Sequence, residues 1–480
     1  MDSQSQIRTR LVLLAAVGAA FMSSLDLFVV NVAFDDIGAS LGVGSPGGPD
    51  VSDLSWVLNA YAVAYAALLV PFGRLADRYG RKPLFVAGLA LFVAASAACA
   101  IGGSVWLLVG ARVAQAVGAA AMTPTSLSIL LAALPAEKRV GGVRLWAATG
   151  AIAAAIGPSV GGMLTQLSWQ WVFLINLPVG AVLLVLAVRE VPDVRPDDEA
   201  GIPDLAGAAL FAGSVGLLAL ALVKSPDWGW TAGRTLASLA LALVLAGAFA
   251  LSSRRHHSPV IHPELLAVGT FRWAIATMLL FHVAFAINLL VGILWLQQVW
   301  GYSALTTGFA VAAGPAMVPV TAALSHRLLP GARPARLITA GSLVMALGTL
   351  VLVTRMGDHP AYLTGYLPGW LLGGIGVGLA LPNLMAGATH DLAPHQAATG
   401  SGVVTMSRQI GFVVGVSVLF AIVGDRTGLP ATDRFTDSYL VAAVALLASA
   451  VAAYGMAARP RAAAEIAGGP ADVRAEGAAA

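Results

Sequence analysis

Two charged side chains lie inside long apolar runs of this sequence, where they could support proton chemistry. Asp26 lies deeper in such a run than any other of the 24 acidic residues. It follows Leu11 by 15 residues, which is roughly 22 Å along a helix. Arg112 lies inside another run, and its guanidinium does not lose its proton. Because an ionised side chain is costly in hydrocarbon, the two are predicted to pair, directly or through water.

A carboxylate in this setting can gain and lose a proton, because desolvation and a nearby cation act on it in opposite directions. Asp26 is therefore a candidate proton carrier, and Arg112 is its predicted electrostatic partner. The alternative is a packing carboxyl that stays hydrogen-bonded to Ser or Asn.

Neutral polar residues extend this candidate site. Ser23, Asp26 and Val30 share one helical face, with Asn31 at its margin, which predicts a polar stripe. His282 is more typical of a hydrogen-bonded packing residue than of a proton carrier, and Gln297 and Gln298 are interpreted as solvated. The predicted substrate-cavity residues are Asn31, Asn59, Tyr61, Gln115, His282, Asn288 and Arg408.

Composition identifies the surroundings of these residues as a membrane. The chain has 480 residues, of which 58% are hydrophobic and 11% charged, whereas soluble domains carry about 25% charged residues. A net charge of +3 with dispersed basic residues gives no surface for nucleic acid. The single cysteine, Cys99, excludes intramolecular disulfides and is predicted to be a small buried hydrophobe. No metal site is predicted, because His256, His257, His262 and the pair His390 and His395 are interpreted as solvated loop residues.

Fourteen apolar runs are long enough to cross a bilayer, which takes about 20 residues. Numbered α1 to α14, they are Leu11–Ala33, Leu54–Phe72, Pro83–Ile101, Val105–Leu130, Val143–Thr165, Val172–Val188, Pro203–Val223, Gly233–Ser252, Trp273–Val299, Ala304–Ser325, Arg336–Thr354, Ala361–Ala386, Ala398–Gly424 and Ser438–Ala458. No run alternates with period two, so helices are favoured over a barrel. The predicted fold is an all-α integral membrane protein with 14 transmembrane helices.

Basic residues orient these helices. With the N-terminus inside, 20 of the 27 Lys and Arg residues fall on the cytoplasmic side, 5 fall outside, and 2 lie within runs. This bias predicts a multi-pass protein of the cell membrane with both termini in the cytoplasm. A cleavable signal peptide is disfavoured, because the first apolar run continues to Ala33.

Polar segments divide the chain into four parts. The predicted parts are a six-helix bundle at 1–192, a linker with two extra helices at 193–258, a second six-helix bundle at 259–458, and a disordered cytoplasmic tail at 459–480. The segments 81–88 and 334–341 are basic, open α3 and α11, and end on Gly88 and Gly341. This weak repeat predicts two parallel bundles that rock against each other, with the site at their interface.

Small residues line one face of α5. Gly150, Ala154, Gly157 and Gly161 are spaced by four, three and four residues, which permits close helix contact. Pro158 can kink the helix. Tight packing is the simpler interpretation, and a seal between the two bundles is the functional one.

Several motifs resemble the major facilitator superfamily and its 14-helix branch of drug:proton antiporters. The segment 73–82, GRLADRYGRK, resembles the superfamily's signature between the second and third helices. RVAQAVG at 112–118, GPSVGG at 157–162, and Leu25–Asp26 with Asn31 resemble the antiporter branch. The stretch 169–180, WQWVFLINLPVG, and SRQIG at 407–411 resemble the 14-helix exporters.

The resemblance implies a proton-driven exporter of amphipathic drugs or antibiotics that works by alternating access. It implies that Asp26 carries the proton and Arg112 tunes it. The implied gating residues are Gly73, Asp77, Arg78, Gly80 and Arg81 in a cytoplasmic charge latch, and Gly157, Pro158, Gly161 and Gly162 in α5. It implies no cofactor beyond the proton gradient. The expected partners are a small amphipathic substrate, protons and the lipid bilayer, with a monomer as the functional unit.

One departure narrows the expected substrates. Helices α9 to α14 contain no deep Asp or Glu, so a dication would lack a second buried counter-charge. Neutral, anionic or singly charged amphipaths are therefore expected. The alternatives are a proton-coupled importer or facilitator of a nutrient and a membrane-embedded enzyme. A channel is disfavoured, because no ring of charge or hydroxyl groups is evident.

Overall fold

The computed structural model describes residues 3–193, 202–329, 331–392, 396–425 and 430–457, and the regular structure within these ranges is helical. The fourteen long helices α1 to α14 are Ser3–Val32, Val51–Tyr79, Arg81–Ala100, Val105–Ala133, Ala136–Thr165, Asn176–Glu190, Leu205–Trp228, Gly233–Arg255, Gly269–Leu294, Ala304–Leu328, Pro334–Arg355, Leu367–Thr389, Ala397–Asp425 and Ala431–Ala457. Three short helices lie at Phe34–Ser40, Trp171–Leu174 and Pro263–Ala267, and π-helical turns lie at Trp295–Val299 and Tyr362–Tyr366. The described residues contain 14 helices of sufficient length and apolarity to cross a membrane, which confirms the predicted spans.

Several helices extend beyond the apolar runs that predicted them. The α5 helix begins at Ala136 rather than Val143, since polar residues continue it past the hydrocarbon region. The α2 helix begins at Val51 because Asp50 and Asp53 form a reciprocal capping box there. Gly80, with φ of +100°, ends α2 and starts α3. This backbone conformation favours glycine, so the chain can reverse there with no intervening loop.

The long helices form two bundles and a linking pair. Helices α1 to α6 pack together, and so do α9 to α14. The seam between the bundles is formed by α5 against α10 and by α2 against α13. Helices α7 and α8 pair with each other, and α7 also contacts α2 and α13. The domain boundaries stay predictions; residues 194–201 of the linker, residue 458 of the second bundle and the tail 459–480 lie outside the described ranges.

The weak sequence repeat corresponds to a repeated close contact between helices. A Cβ atom on Gly88 of α3 would lie 2.9 Å from the carbonyl oxygen of Gly118 in α4. A Cβ atom on Gly341 of α11 would lie 2.6 Å from the carbonyl oxygen of Gly376 in α12. Both helix pairs therefore approach backbone to backbone at equivalent positions of the two bundles.

An ion cluster fastens the linking pair to the first bundle. The ammonium of Lys224, near the end of α7, lies 2.8 Å from carboxylate oxygens of both Asp50 and Asp53 and 3.7 Å from Asp227. The cluster lies on the predicted extracellular face and joins α7 to the first turn of α2.

Candidate functional site

Asp26 and Arg112 form a buried ion pair in the first bundle. Nη1 of Arg112 lies 2.5 Å from Oδ2 of Asp26, and their side chains are 1% and 0% exposed, respectively. Nε of Arg112 donates to the carbonyl oxygen of Val57 in α2 at 3.2 Å. The structure thus brings into direct contact the two residues that the sequence predicts to pair, while their role in proton coupling stays a prediction.

The second carboxylate oxygen of Asp26 is held by two amides. Oδ1 accepts from Nε2 of Gln115 at 2.8 Å and from Nδ2 of Asn176 at 3.0 Å. Both amides also lie within hydrogen-bond distance of Oγ of Ser96, at 2.8 and 3.3 Å. The network therefore links α1, α3, α4 and α6, and through Arg112 it reaches α2.

The contacts to Asp26 all come from donors. Arg112, Gln115 and Asn176 each present an N–H to the carboxylate, and none of these groups can accept the O–H of a protonated Asp26. A proton on Asp26 would therefore find no acceptor among these three N–H groups, and it would weaken the hydrogen bonds that they donate to the carboxylate. This is the geometry that a proton carrier needs if its charge is to control the positions of helices.

Aromatic rings enclose the guanidinium. Cζ of Arg112 lies 4.0 Å from the ring centre of Tyr61 and 5.8 Å from that of Phe173. Tyr61 in turn stacks on Tyr65, with ring centres 6.1 Å apart and planes 6° from parallel. Cys99 is buried as predicted, and its sulfur lies 3.8 Å from Oε1 of Gln115.

Sequence reasoning missed part of this network. The sequence predicts no role for Ser96, and it includes Asn176 only as part of the segment 169–180 that resembles the 14-helix exporters. Each is a single neutral polar residue in an apolar helix, and that is the one signal that could have identified it. Tyr61 and Gln115 belong to the Asp26 network, and their predicted place in the substrate cavity stays a prediction.

The other predicted cavity residues lie in different places. Asn59 donates to Ser417 of α13 at 3.4 Å and so spans the seam. Asn31 is buried and donates to the carbonyl oxygen of Leu27 in its own helix. His282 is buried with Nδ1 3.0 Å from the carbonyl oxygen of Met278, which fits a packing residue.

Asn288 is hydrogen-bonded inside the second bundle, and its place in the substrate cavity stays a prediction. Its amide donates to the carbonyl oxygen of Ala284, and its oxygen accepts from Thr349 of α11 at 3.0 Å. Asn288 therefore fastens α9 to α11 inside the second bundle. Its spacing along α9 could not show which way it faces.

The glycine face of α5 packs mainly inside its own bundle. A Cβ on Gly157 would lie 2.6 Å from Cβ of Phe28, and one on Gly161 would lie 2.7 Å from the carbonyl oxygen of Val29, both in α1. These two residues therefore fit the simpler interpretation of tight packing, and their gating role stays a prediction. Their spacing identified a close helix contact but could not identify the partner helix.

Neighbouring α5 residues do meet the second bundle. A Cβ on Gly162 would lie 2.4 Å from the carbonyl oxygen of Ala304 in α10. Gly308 of α10 packs against the carbonyl of Pro158, and the hydroxyl of Ser159 donates to the Gly308 carbonyl oxygen at 3.2 Å. The bundles thus touch backbone to backbone on the predicted extracellular face.

Two glutamines close the same face. The π-helical turn Trp295–Val299 directs Gln297 to the carbonyl oxygen of Val32 at 3.1 Å and Gln298 to Oδ1 of Asp35 at 3.1 Å. Burial raises the pKa of Asp35, the Gln298 hydrogen bond opposes that rise, and the nearby Asp36 adds to it. The interpretation as solvated is wrong for Gln297, which is half-buried, whereas Gln298 is exposed as predicted. Both glutamines also make a contact across the seam.

Some residues of the predicted cytoplasmic latch are in contact with each other. Arg81 lies 3.5 Å from Asp77 in an exposed pair, and Cζ of Arg78 lies 5.7 Å from the ring centre of Tyr79. Gly73 makes only an ordinary contact: a Cβ there would lie 3.7 Å from Pro124. The gating roles of Gly73, Asp77, Arg78, Gly80 and Arg81 stay predictions.

A histidine predicted to be solvated links this region to the second bundle. Nη2 of Arg74 lies 2.8 Å from Nε2 of His262, which is half-buried just before α9. Burial and the charge of Arg74 lower the pKa of His262, and Glu264 opposes them. His390 pairs with its neighbour Asp391 at 2.7 Å, His395 lies outside the described residues, and no group suited to a metal ion occurs among the residues that are described.

Comparison with known proteins places this arrangement in context. The family model for the Major Facilitator Superfamily matches residues 16–416. The multidrug resistance protein Stp of Mycobacterium tuberculosis is 34% identical over 86% of this chain and 76% of its own length. The methylenomycin A resistance protein of Streptomyces coelicolor is 29% identical over 92% and 90%, and the cephamycin export protein CmcT of Amycolatopsis lactamdurans is 32% identical over 92% and 90%.

Solved structures share the fold. The POT family transporter PepTSo superposes with a TM-score of 0.69 at 15% identity, over 94% of this chain and 99% of that chain. At this identity the likeness concerns the fold alone.

Proposed function

The chain belongs to the major facilitator superfamily, and we propose that it exports amphipathic drugs or antibiotics in exchange for protons. The superfamily and the curated relatives are transporters, which sets aside the membrane-embedded enzyme. The relatives' names concern multidrug resistance, antibiotic resistance or antibiotic export. These names favour export over nutrient import. The proposal needs no cofactor, because the proton gradient supplies the free energy.

The observation that carries the proposal is the set of donors around Asp26. An ionised Asp26 satisfies Arg112, Gln115 and Asn176 together. When a proton binds, the hydrogen bonds that these donors make to the carboxylate weaken, and Arg112 loses its counter-charge. Since leaving a buried charge unpaired is costly, the protonated network favours a different arrangement of α1, α4 and α6.

Arg112 connects this change to the seam. It donates to Val57 and stacks on Tyr61, both in α2. The same helix crosses the seam through the Asn59–Ser417 hydrogen bond. A movement of Arg112 therefore acts on the helix that faces the second bundle, which is the coupling that alternating access requires.

Closure of the predicted extracellular face fits a state open toward the cytoplasm. Gly162 and Ser159 of α5 meet α10 there, and Gln297 and Gln298 reach the end of α1 and Asp35. We propose that these contacts part when the protein opens outward to release substrate and take up a proton. In this scheme both termini lie in the cytoplasm and the monomer is the functional unit.

The test is proton flux in liposomes containing the purified protein. Neutral, anionic and cationic amphipaths are offered to wild type, Asp26→Asn and the control Asp433→Asn, which removes an exposed acid in the first turn of α14. Proton movement opposite to substrate is expected in wild type and in the control, and it is lost in Asp26→Asn. Coupled transport that survives Asp26→Asn would place the proton elsewhere, and movement of both species in one direction would indicate symport.

A further inference from the structure

Arg408 is a cation in the middle of the membrane without a counter-charge in the described structure. It follows Thr399, where its candidate span begins, by nine residues, or roughly 14 Å along a helix. That places it near the middle of a hydrocarbon core about 30 Å thick. Among the described residues, no carboxylate lies within ion-pair distance of its guanidinium and no hydrogen bond satisfies it.

The neighbours of Arg408 show that it faces the seam. Its charge interacts with Tyr65 of α2 in the first bundle and with His282 of α9 in the second. Both neighbours are buried, whereas Arg408 is partly exposed. The Arg408 side chain therefore keeps accessible surface at a place where residues of the two bundles come together.

Neither neighbour supplies negative charge. Tyr65 is a neutral phenol that lies near Thr123 of α4. Nδ1 of His282 faces the Met278 carbonyl oxygen, and its Cβ packs over Gly411, one turn of α13 beyond Arg408. An intramembrane cation is otherwise paired or held at a functional site, so this position is suited to an anion that comes and goes.

The two intramembrane arginines near the seam, Arg112 and Arg408, differ in this respect. Arg112 is neutralised by Asp26, and the stacked rings of Tyr61 and Tyr65 lie between it and Arg408. A guanidinium binds carboxylates through two parallel hydrogen bonds and repels cations. From this contrast we infer that Arg408 binds the negatively charged group of the substrate and that the exported class is anionic amphipaths, carboxylates above all.

The inference rests on the proposed export function and gives it an electrical signature. If one proton enters for each monoanion that leaves, each cycle carries a net charge of two elementary charges inward. A neutral substrate would move one charge, and a monocation would move none. The membrane potential therefore drives export of the anion most strongly.

The test is binding to the purified full-length protein in detergent, which does not depend on proton transport. The probes are dansylglycine, a monoanion; dansylglycinamide, its neutral counterpart; and dansylcadaverine, a cation. Wild type is expected to bind dansylglycine at least tenfold more tightly than dansylglycinamide. Arg408→Gln is expected to remove that preference while leaving dansylglycinamide binding unchanged, which also shows that the variant is folded.

Two further variants sharpen the result. Arg408→Lys keeps the charge and is expected to retain most of the preference, and the control Arg336→Gln removes an exposed arginine at the start of α11 and is expected to change nothing. A wild type without anion preference, or a preference that survives in Arg408→Gln, would overturn the inference. If the protein prefers anions but shows no coupled proton flux in liposomes, the anion site is retained and the antiport mechanism is refuted. If it shows coupled proton flux but no anion preference, the antiport mechanism is retained and the anion site is refuted.

Discussion

Asn176 donates a 3.0 Å hydrogen bond to Asp26, although the two residues lie 150 positions apart in the chain. The contact joins α6 to α1 and completes the donor set around a buried carboxylate. It also brings the Asn176 amide within 3.3 Å of the Ser96 hydroxyl. Asn176 is therefore a positioning residue for the ion pair.

Replacing Asn176 by Ala is expected to lower the free energy of unfolding by about 1.5–3 kcal/mol, the range for hydrogen bonds to charged groups. Thermal unfolding in detergent measures this. The matched control is Asn383→Ala, because Asn383 is a buried amide that donates to Leu379 in its own helix. If both variants lose the same free energy of unfolding, the hydrogen bond to Asp26 stabilises the protein no more than a hydrogen bond within one helix.

The ion pair itself predicts a non-additive pair of substitutions. Arg112→Gln or Asp26→Asn alone leaves one buried charge unpaired and is expected to destabilise the protein by about 3–5 kcal/mol. The double variant removes both charges and is expected to recover much of that loss without recovering transport. Thermal unfolding and liposome export check the two parts, and strictly additive losses would contradict direct pairing.

The contact of α5 with α10 predicts a selective loss of transport. Gly162→Ala places a Cβ 2.4 Å from the Ala304 carbonyl oxygen, and overpacking of this kind costs about 1–3 kcal/mol. That cost applies only to the state in which α5 and α10 touch. Because the transport cycle passes through this state, the initial export rate is expected to fall by at least tenfold. Gly216→Ala in α7 is the control, since a Cβ there meets nothing within 4 Å. Identical export rates in the two variants would refute a gating role for this contact.

The contact between Arg74 and His262 predicts a pH dependence. Burial and Arg74 lower the pKa of His262 in the folded protein below its usual 6.5. The stability from this neutral histidine is therefore fully present above pH 6.5 and is lost as pH falls toward the lowered value. His262→Gln, which keeps an acceptor for Arg74 but does not titrate, is expected to lose less stability than wild type on acidification from pH 8 to 5.

Thermal unfolding across that pH range measures the difference. His359→Gln is the control, because His359 is exposed in the loop after α11. If His359→Gln blunts the acid sensitivity as much as His262→Gln does, the Arg74 contact is not its source.

The sequence is informative where one physical quantity decides the outcome. Hydrocarbon excludes charge, so composition predicts the fourteen spans, and scarcity of buried charge predicts the pairing of Asp26 with Arg112. The repeat at Gly88 and Gly341 likewise marks a contact that admits no side chain.

The contacts of other residues depend on how each helix is rotated about its axis and on which helix lies opposite. Ser96 and Asn176 give no periodic signal, and Gly157 and Gly161 could have faced any neighbour. The π-helical turn at Trp295–Val299 changes the direction of Gln297 and Gln298 in a way that apolar periodicity does not reveal. These are the positions at which the predictions were incomplete or wrong.

The described partners of Asp26 all belong to the first bundle, whereas Arg408 belongs to the second. A proton at Asp26 and an anion at Arg408 therefore do not compete for the same volume, and both can be bound at once. The exchange of protons for anions then depends on which forms of the protein, with one or both of these bound, can change between the inward-open and outward-open states. In steady-state kinetics, a change of pH should alter the maximal rate of export more than the substrate concentration at half-saturation.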